Sequence, residues 1–314
     1  MSKSKTSDQL LDMLGDALGE TIGSYLRDPL VTEIMLNPDG RLWIDKFGCG
    51  LVDTGLSISP IAGSQVISLV ASAVNSRCNE QCPILEAELP GDGSRFEGIL
   101  PPNVAAPTWN IRKHATRIFA LEDYVASGII TEQQYELLIR AAKDKLNILV
   151  VGSTGSGKTT FVNALLKEIA NTNHRVVIIQ DTLELQCAAQ NVVYLRTKKE
   201  NQISMEELLR ATLRLRPDRI VVGEVRGGEA LTLLKAWTTG HPGGCSTIHA
   251  SSALGGLKKL EQYILEKLPN PQRELIAEAV DVVVFIERYG TGRRVKEILA
   301  VTGYDGQYLI EPYQ

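Results

Sequence analysis

The residues best suited by type and spacing to do chemistry are Gly152, Ser153, Thr154, Gly155, Ser156, Gly157, Lys158, Thr159 and Thr160. They fit G-x₄-G-K-[ST], with the apolar run NILVVG before them and the amphipathic run TTFVNALLKEIAN after. The glycines allow a tight loop whose backbone N–H groups point inward at phosphate oxygens. The N-terminus of the following helix adds partial positive charge. Lys158 then reaches the β- and γ-phosphates, and the Thr159 hydroxyl can ligate Mg²⁺. The expected ligand is a nucleoside triphosphate with Mg²⁺. A guanine-reading N-K-x-D is not found, which argues against a GTPase.

Acids follow at two further strand ends. IIQDTLEL puts Asp181 and Glu184 beyond one apolar run, and RIVVGEVRGGE puts Glu224 beyond another. In a parallel sheet the carboxyl ends of the strands converge on the ligand crevice. Each acid can there polarise the attacking water or hold a metal-bound water near Lys158; each also reads as a solvated loop acid. His241, Cys245 and His249 make H-x₃-C-x₃-H, a spacing that suggests zinc. Pro242, Gly243 and Gly244 prevent one helix from carrying all three, and a fourth ligand is missing. His249 ends a strand on the side of the Lys158 loop, as a γ-phosphate sensor or a satisfied core histidine.

These groups need elements to position them. From about residue 130, NILVVG, RVVIIQD, RIVVGE, CSTIHA and AVDVVVFIE are apolar strands that alternate with helical patterns. Such strands form a parallel sheet covered on both faces. Ser204 and Glu207 have capping-box spacing, and Pro217 stops the helix they open. A terminal hairpin turns at Tyr304, Asp305 and Gly306. Before this region, an amphipathic helix over about residues 8–27 places Leu10, Leu14, Leu18, Ile22 and Leu26 on one stripe. VTEIML and RLWIDK are strands around NPDG. A helix PIAGSQVISLVASAVNS carries Ile61, Val66, Leu69, Val70 and Val74 on its apolar side. ILEAELPGDGSRFEGILPP makes two strands, and LPPNVAAPTW is a stiff exposed connection. Residues 1–117 thus form a small α+β domain and residues 118–314 an α/β domain.

The 314 residues carry a formal charge of −4 and 44% hydrophobic side chains. Bulk charge therefore gives no standing attraction to nucleic acid or anionic lipid, and direct nucleic-acid binding is not implied. No apolar run approaches the ~20 residues of a spanning helix. The N-terminus does not read as a signal peptide. Five scattered cysteines suit a reducing cytosol.

In order, GSTGSGKTT, QDTLEL, LRLRPDRIVVGEVRGGEA and TTGHPGGCSTIHA resemble the signatures of the secretion (traffic) ATPase superfamily. These are a Walker A loop, an Asp box, an atypical Walker B ending in Gly-Glu, and a His box. The resemblance covers about residues 90–290. It implies a RecA-like P-loop NTPase domain behind a smaller N-terminal α+β domain, a homohexameric ring, and ATP hydrolysis with Mg²⁺. GSRFEGILPP followed by WNIRKH is similar to the type IV secretion branch, most of all to its conjugal-transfer members; the four-cysteine zinc module of type II members is missing. By resemblance, Glu224 and Glu184 orient water, either one being suited as main base, and His249 senses the γ-phosphate. Arg95 and Arg112, with Arg117 as a third candidate, answer charge on the transferred phosphoryl group. Arg210 and Arg214, at i and i+4, repel by about 0.2–0.5 kcal/mol unless an anion or acid lies between them; a Glu206–Arg210 pair is the plain alternative. The expected setting is cytoplasmic, peripheral on an inner-membrane secretion or conjugation complex, in conjugal DNA transfer or pilus biogenesis. A type IV pilus motor, a RecA-like DNA helicase or recombinase, and a nucleotide-gated scaffold are the other readings.

Overall fold

The computed structural model describes residues 2–46, 49–113, 118–197, 203–290 and 292–314. The chain divides into two compact units, Met1–Arg117 and Ile118–Gln314. The first comprises α1 (Ser2–Arg27), β1 (Val31–Leu36), β2 (Arg41–Lys46), β3 (Gly50–Ser57), α2 (Pro60–Ala73), β4 (Ile84–Glu88), β5 (Arg95–Ile99) and β6 (Thr108–Arg112). Its sheet runs β3-β2-β1-β6-β5-β4, every described pairing antiparallel. Leu14, Leu18 and Ile22 of α1 are buried with Ile67 and Val70 of α2 and with Ile34, Phe96, Trp109 and Ile111 of the sheet. The helical break at Gly19, with φ 72°, interrupts α1 without removing this stripe from the core. Ser59 opens α2 by accepting from the Ala62 N–H at 3.2 Å, and Pro60 occupies the first turn, where its missing N–H costs nothing. Ile61 does not join the apolar side: it is 81% exposed, because at 3.6 residues per turn it stands on the face of α2 opposite the buried Val70. Part of LPPNVAAPTW is strand rather than connection, since Thr108 and Trp109 begin β6.

The second unit comprises α3 (Leu121–Ala126), α4 (Glu132–Lys143), β7 (Ile148–Gly152), α5 (Lys158–Ala170), β8 (Val176–Gln180), β9 (Val192–Arg196), α6 (Met205–Thr212), β10 (Arg219–Val222), α7 (Glu229–Thr238), β11 (Cys245–His249), α8 (Ala253–Leu265), α9 (Arg273–Ala279), β12 (Val282–Tyr289), β13 (Gly292–Tyr304) and β14 (Tyr308–Pro312). The sheet order is β14-β13-β12-β7-β11-β10-β8-β9. From β12 to β9 the strands are parallel, and β13 and β14 add antiparallel pairs at one edge. All residues of β7, β8 and β10 are buried, as expected when helices cover both faces. Phe161 of α5 is fully buried and meets Tyr124 edge-on at 5.4 Å; burial of such a ring is worth about 1.5–3 kcal/mol. The Ser204–Glu207 capping box forms. However, α6 ends at Thr212, so Arg210 and Arg214 do not share a helical face, and Arg210 instead pairs with Glu206 at 2.5 Å.

A polar lock closes the sheet end remote from the Lys158 loop. Arg219, fully buried at the start of β10, donates to Gly243 O at 2.9 Å, Ala142 O at 2.7 Å and His174 Nδ1 at 3.0 Å. His174 Nδ1 must be unprotonated to accept. Burial, then the charges of Arg219 and Lys145, hold the His174 pKa below its ordinary value, with Asp218 opposing. A histidine whose pKa is depressed in the fold stabilises above its unfolded pKa of about 6.5, and that contribution is lost as pH falls below it. The melting temperature is expected to drop between pH 7.5 and pH 5.5. His174→Gln, whose amide oxygen can still accept from Arg219, should show a shallower drop in the same thermal scans.

Candidate active site

The site is assembled at the carboxyl ends of β7, β11, β10 and β8. The loop after β7 reaches α5 through Gly155 and Gly157, with φ 70° and 94°, a left-handed region that favours glycine. Gly157 caps α5, so the helix begins at Lys158. Lys158 is only 7% exposed. Its Nζ donates to Ser153 O at 3.0 Å and lies 3.2 Å from His249 Nδ1. A lysine donating there makes Nδ1 the acceptor and leaves the ring proton on Nε2. His249 Nε2 lies 2.6 Å from Glu224 Oε1, so this tautomer turns the ring proton's side toward the carboxylate.

Glu224 is held from its other side as well. Its Oε2 accepts from Arg226 Nε at 2.7 Å and from Arg226 Nη2. Arg226 Nη1 donates to Asp181 Oδ2 at 2.6 Å. Burial works against the charge of Arg226, but Glu224, Asp181 and, more weakly, Glu184 outweigh it and raise its pKa. Glu229 Oε1 accepts from the N–H groups of Arg226 at 2.7 Å and Gly227 at 3.0 Å, which orders the turn beyond β10. Lys158, His249, Glu224, Arg226 and Asp181 thus form one continuous polar chain across four strand ends.

Glu184 is placed by two residues that sequence reasoning missed. Gln180, the buried last residue of β8, accepts through Oε1 from the N–H groups of Glu184 at 3.0 Å and Leu185 at 2.9 Å. Asn163 of α5 donates to Glu184 O at 2.9 Å and accepts from Gln186 N at 2.9 Å. Both are polar residues inside otherwise apolar patterns, RVVIIQ and TTFVNALL, and that was their legible signal. Arg226 is the residue that ties Glu224 to Asp181.

The residues suit a phosphate group with a cation. The Ser156 Oγ is buried without a hydrogen-bond partner, and the Gln180 Nε2 likewise. A Cβ at Gly152 would strike Ser156 Oγ and Ile286 O, so the loop is packed as tightly as backbone allows. Thr159, half-buried in the first turn of α5, is of the donor type Mg²⁺ takes.

The H-x₃-C-x₃-H group is dispersed. Cys245 begins β11 and His249 ends it, which separates them by about 13 Å at 3.3 Å per residue. Burial pushes the Cys245 thiol up to about 12, away from the thiolate a metal needs. His241 Nδ1 lies 3.0 Å from Pro217 O.

In the first unit, Arg95 and Arg112 are brought face to face across β5 and β6. Glu88 stands opposite Arg95, and Glu33 opposite Arg112 with its Oε1 4.0 Å from the Arg112 Nε. Arg117 lies outside the described residues.

Residues 21–288 match the family described as Type II/IV secretion system protein. The conjugal transfer protein TrbB of Rhizobium radiobacter is 48% identical over 316 residues, spanning 100% of this chain and 97% of that protein. The type IV secretion system protein VirB11 of Bartonella quintana is 30% identical over 326 residues, spanning 89% of this chain and 90% of that protein. The ATPase DotB of Legionella pneumophila shares the fold, with a TM-score of 0.64 and 19% identity over 88% of this chain and 78% of that chain.

Proposed function

The chain belongs to the type II/IV secretion system protein family, and we propose that it couples ATP hydrolysis at the Gly152–Thr160 loop to conjugal transfer through a type IV secretion apparatus. The observation that carries this reading is the chain Lys158–His249–Glu224–Arg226–Asp181 at the carboxyl ends of parallel strands. It couples the residue that meets phosphate to the residue that meets water.

ATP is the substrate, and Mg²⁺, held with Thr159, would supply charge neutralisation at the phosphates. Backbone N–H groups of residues 152–160 and the Lys158 ammonium hold the phosphate chain. A γ-phosphate competes for Lys158 Nζ, which frees His249 Nδ1 to accept elsewhere. His249 is in this way the sensor: its partner change is transmitted through Nε2 to Glu224. Glu224 takes the proton of the attacking water, with Glu184 as the rival acid. Arg95 and Arg112 answer charge developing on the transferred phosphoryl group. The protein would work as a homohexamer docked on the cytosolic face of an inner-membrane complex. Among the described residues no helix is long and apolar enough to cross a membrane.

The test is phosphate release by the purified chain. Turnover is expected to require ATP and Mg²⁺, to stop with a chelator, and to be indifferent to single-stranded DNA. Strong stimulation by single-stranded DNA that vanishes steeply with salt would favour the helicase reading instead.

A further inference from the structure

Glu184 lies in residues 181–191, which join β8 to β9 without helix or strand. Leu185, Cys187 and Ala189 are buried, with the half-buried Gln186 and the exposed Ala188 between them. The segment has the alternation of a strand but is not paired as one.

Side chains from three elements take the place of a ladder. Gln180 of β8 accepts through Oε1 from the N–H groups of Glu184 at 3.0 Å and Leu185 at 2.9 Å. Asn163 of α5 donates to Glu184 O and accepts from Gln186 N, both at 2.9 Å. The Tyr194 hydroxyl of β9 accepts from Cys187 N at 2.8 Å and donates to Cys187 O at 3.1 Å. Every N–H from Glu184 to Cys187 is therefore taken by a side chain. Glu184 itself is held at both its N–H and its carbonyl.

Folding alone does not call for these residues. Asn163 is 1% exposed and Gln180 2%, in a helix and a strand whose other buried positions are mostly apolar. The Gln180 Nε2 is buried with no hydrogen-bond partner, which costs about 1–3 kcal/mol. Gly223 makes room for this side chain, since a Cβ there would come 3.3 Å from Gln180 Cβ. A polar residue kept inside at such a cost marks a place where position outweighs stability. What is positioned is an acid. Glu184 stands close enough to Arg226 for its charge to help raise the Arg226 pKa. Asn163 lies on the helix that Lys158 opens, so it ties this acid to the element that carries the lysine.

We propose that Gln180, Asn163 and Tyr194 are positioning residues for ATP hydrolysis, which hold the backbone of residues 184–187 so that the Glu184 carboxylate stands at a fixed reach from the Gly152–Thr160 loop. The inference rests on the reading of that loop as the nucleotide site and of Glu184 as an acid that acts on water. Such an acid needs a rigid mount, because a misplacement of about 1 Å costs up to about a hundred-fold in rate.

The test is single-turnover phosphate release from ATP and equilibrium ADP binding, both on the full chain. Q180M, N163L and Y194F keep size and remove the hydrogen bonds. Q180M and N163L are expected to slow phosphate release by about ten- to a hundred-fold and to leave ADP affinity near wild type. Y194F should lose less, in the same sense. Q180E retains an oxygen for both N–H groups and should recover most of what Q180M loses. The deciding arm repeats the substitutions on an E184Q background, where they should cost nothing more. Equal losses on both backgrounds would leave a structural role alone and overturn the inference. So would wild-type release in the three variants, or a loss confined to ADP affinity. If Q180M and N163L do not fold, Y194F on the two backgrounds carries the same decision. Release at the wild-type rate by E184Q overturns the mount and leaves the nucleotide reading standing. Wild-type protein that neither binds ADP nor releases phosphate overturns both.

Discussion

Glu224→Gln is expected to bind ATP like the wild-type chain and to lose turnover by roughly 10²–10⁴-fold, the usual contribution of a positioned general base. The substitution keeps size and shape. A glutamine oxygen still accepts from Arg226, whose Nε lies 2.7 Å from Glu224 Oε2, so the turn after β10 is held. Glu229 separately fixes the backbone of Arg226 and Gly227. What is lost is the negative charge and the ability to take a proton. ATP affinity and steady-state phosphate release, measured on the same preparation, separate the two. Turnover near the wild-type rate would remove Glu224 from the catalytic role. Glu184→Gln measured in parallel decides between the acids. Glu184 is fastened by its backbone to Gln180 and Asn163, so a side-chain change there should leave its loop in place.

Lys158→Ala is expected to lose on two counts, because it strikes both binding and chemistry. Removing one preorganised charge aimed at the reacting group costs roughly 10²–10³-fold in turnover. Affinity for ATP should fall as well, by ~1.5–3 kcal/mol for a charge-assisted contact. The change also uncouples the polar chain, since Lys158 Nζ is 3.2 Å from His249 Nδ1. Equilibrium ATP binding and single-turnover phosphate release separate the two losses. A variant that binds and hydrolyses ATP normally would show that the loop does not do the work assigned to it. Far-UV circular dichroism guards against a trivial answer. The Gly157 cap that opens α5 does not depend on the lysine side chain.

Much of the fold was legible where local pattern and tertiary role agree. The apolar runs that became β7, β8 and β10 are buried along their whole length, so continuous hydrophobicity reported them directly. Capping at Ser204 and the turn before Tyr308 were written in residues whose preference is local. Five elements were not anticipated: β3, β6, β9, α3 and α9. In β3 burial alternates between half-buried and exposed, and β9 is a half-buried edge strand that includes the exposed Tyr194. Their hydrogen bonds come from strands already laid down, a support that local composition does not encode. The helices α3 and α9 are only 6 and 7 residues long, too short to stand without packing. Ile61 misled in the opposite way: it is apolar, but the helical period puts it on the face opposite Val70, where α2 meets no neighbour among the described residues.

By itself the sequence determined the chemistry on offer. A glycine-rich loop ending in Lys158 and Thr159 has few uses other than phosphate, because its backbone donors and its cation must be matched by an anion. It also determined that Glu184, Glu224 and His249 would stand at strand ends, since parallel strands all run toward that edge. Only the tertiary structure decided which of these groups touch. Lys158 meets His249, His249 meets Glu224, and Arg226 links Glu224 to Asp181 because β11 lies between β7 and β10, with β8 next to β10. That order is set by packing among distant segments. The same holds for Tyr194. The pairing of β9 beside β8 carries its hydroxyl to the segment that holds Glu184. Spacing along the chain holds no record of that approach, because it is fixed by sheet pairing rather than by neighbours in sequence.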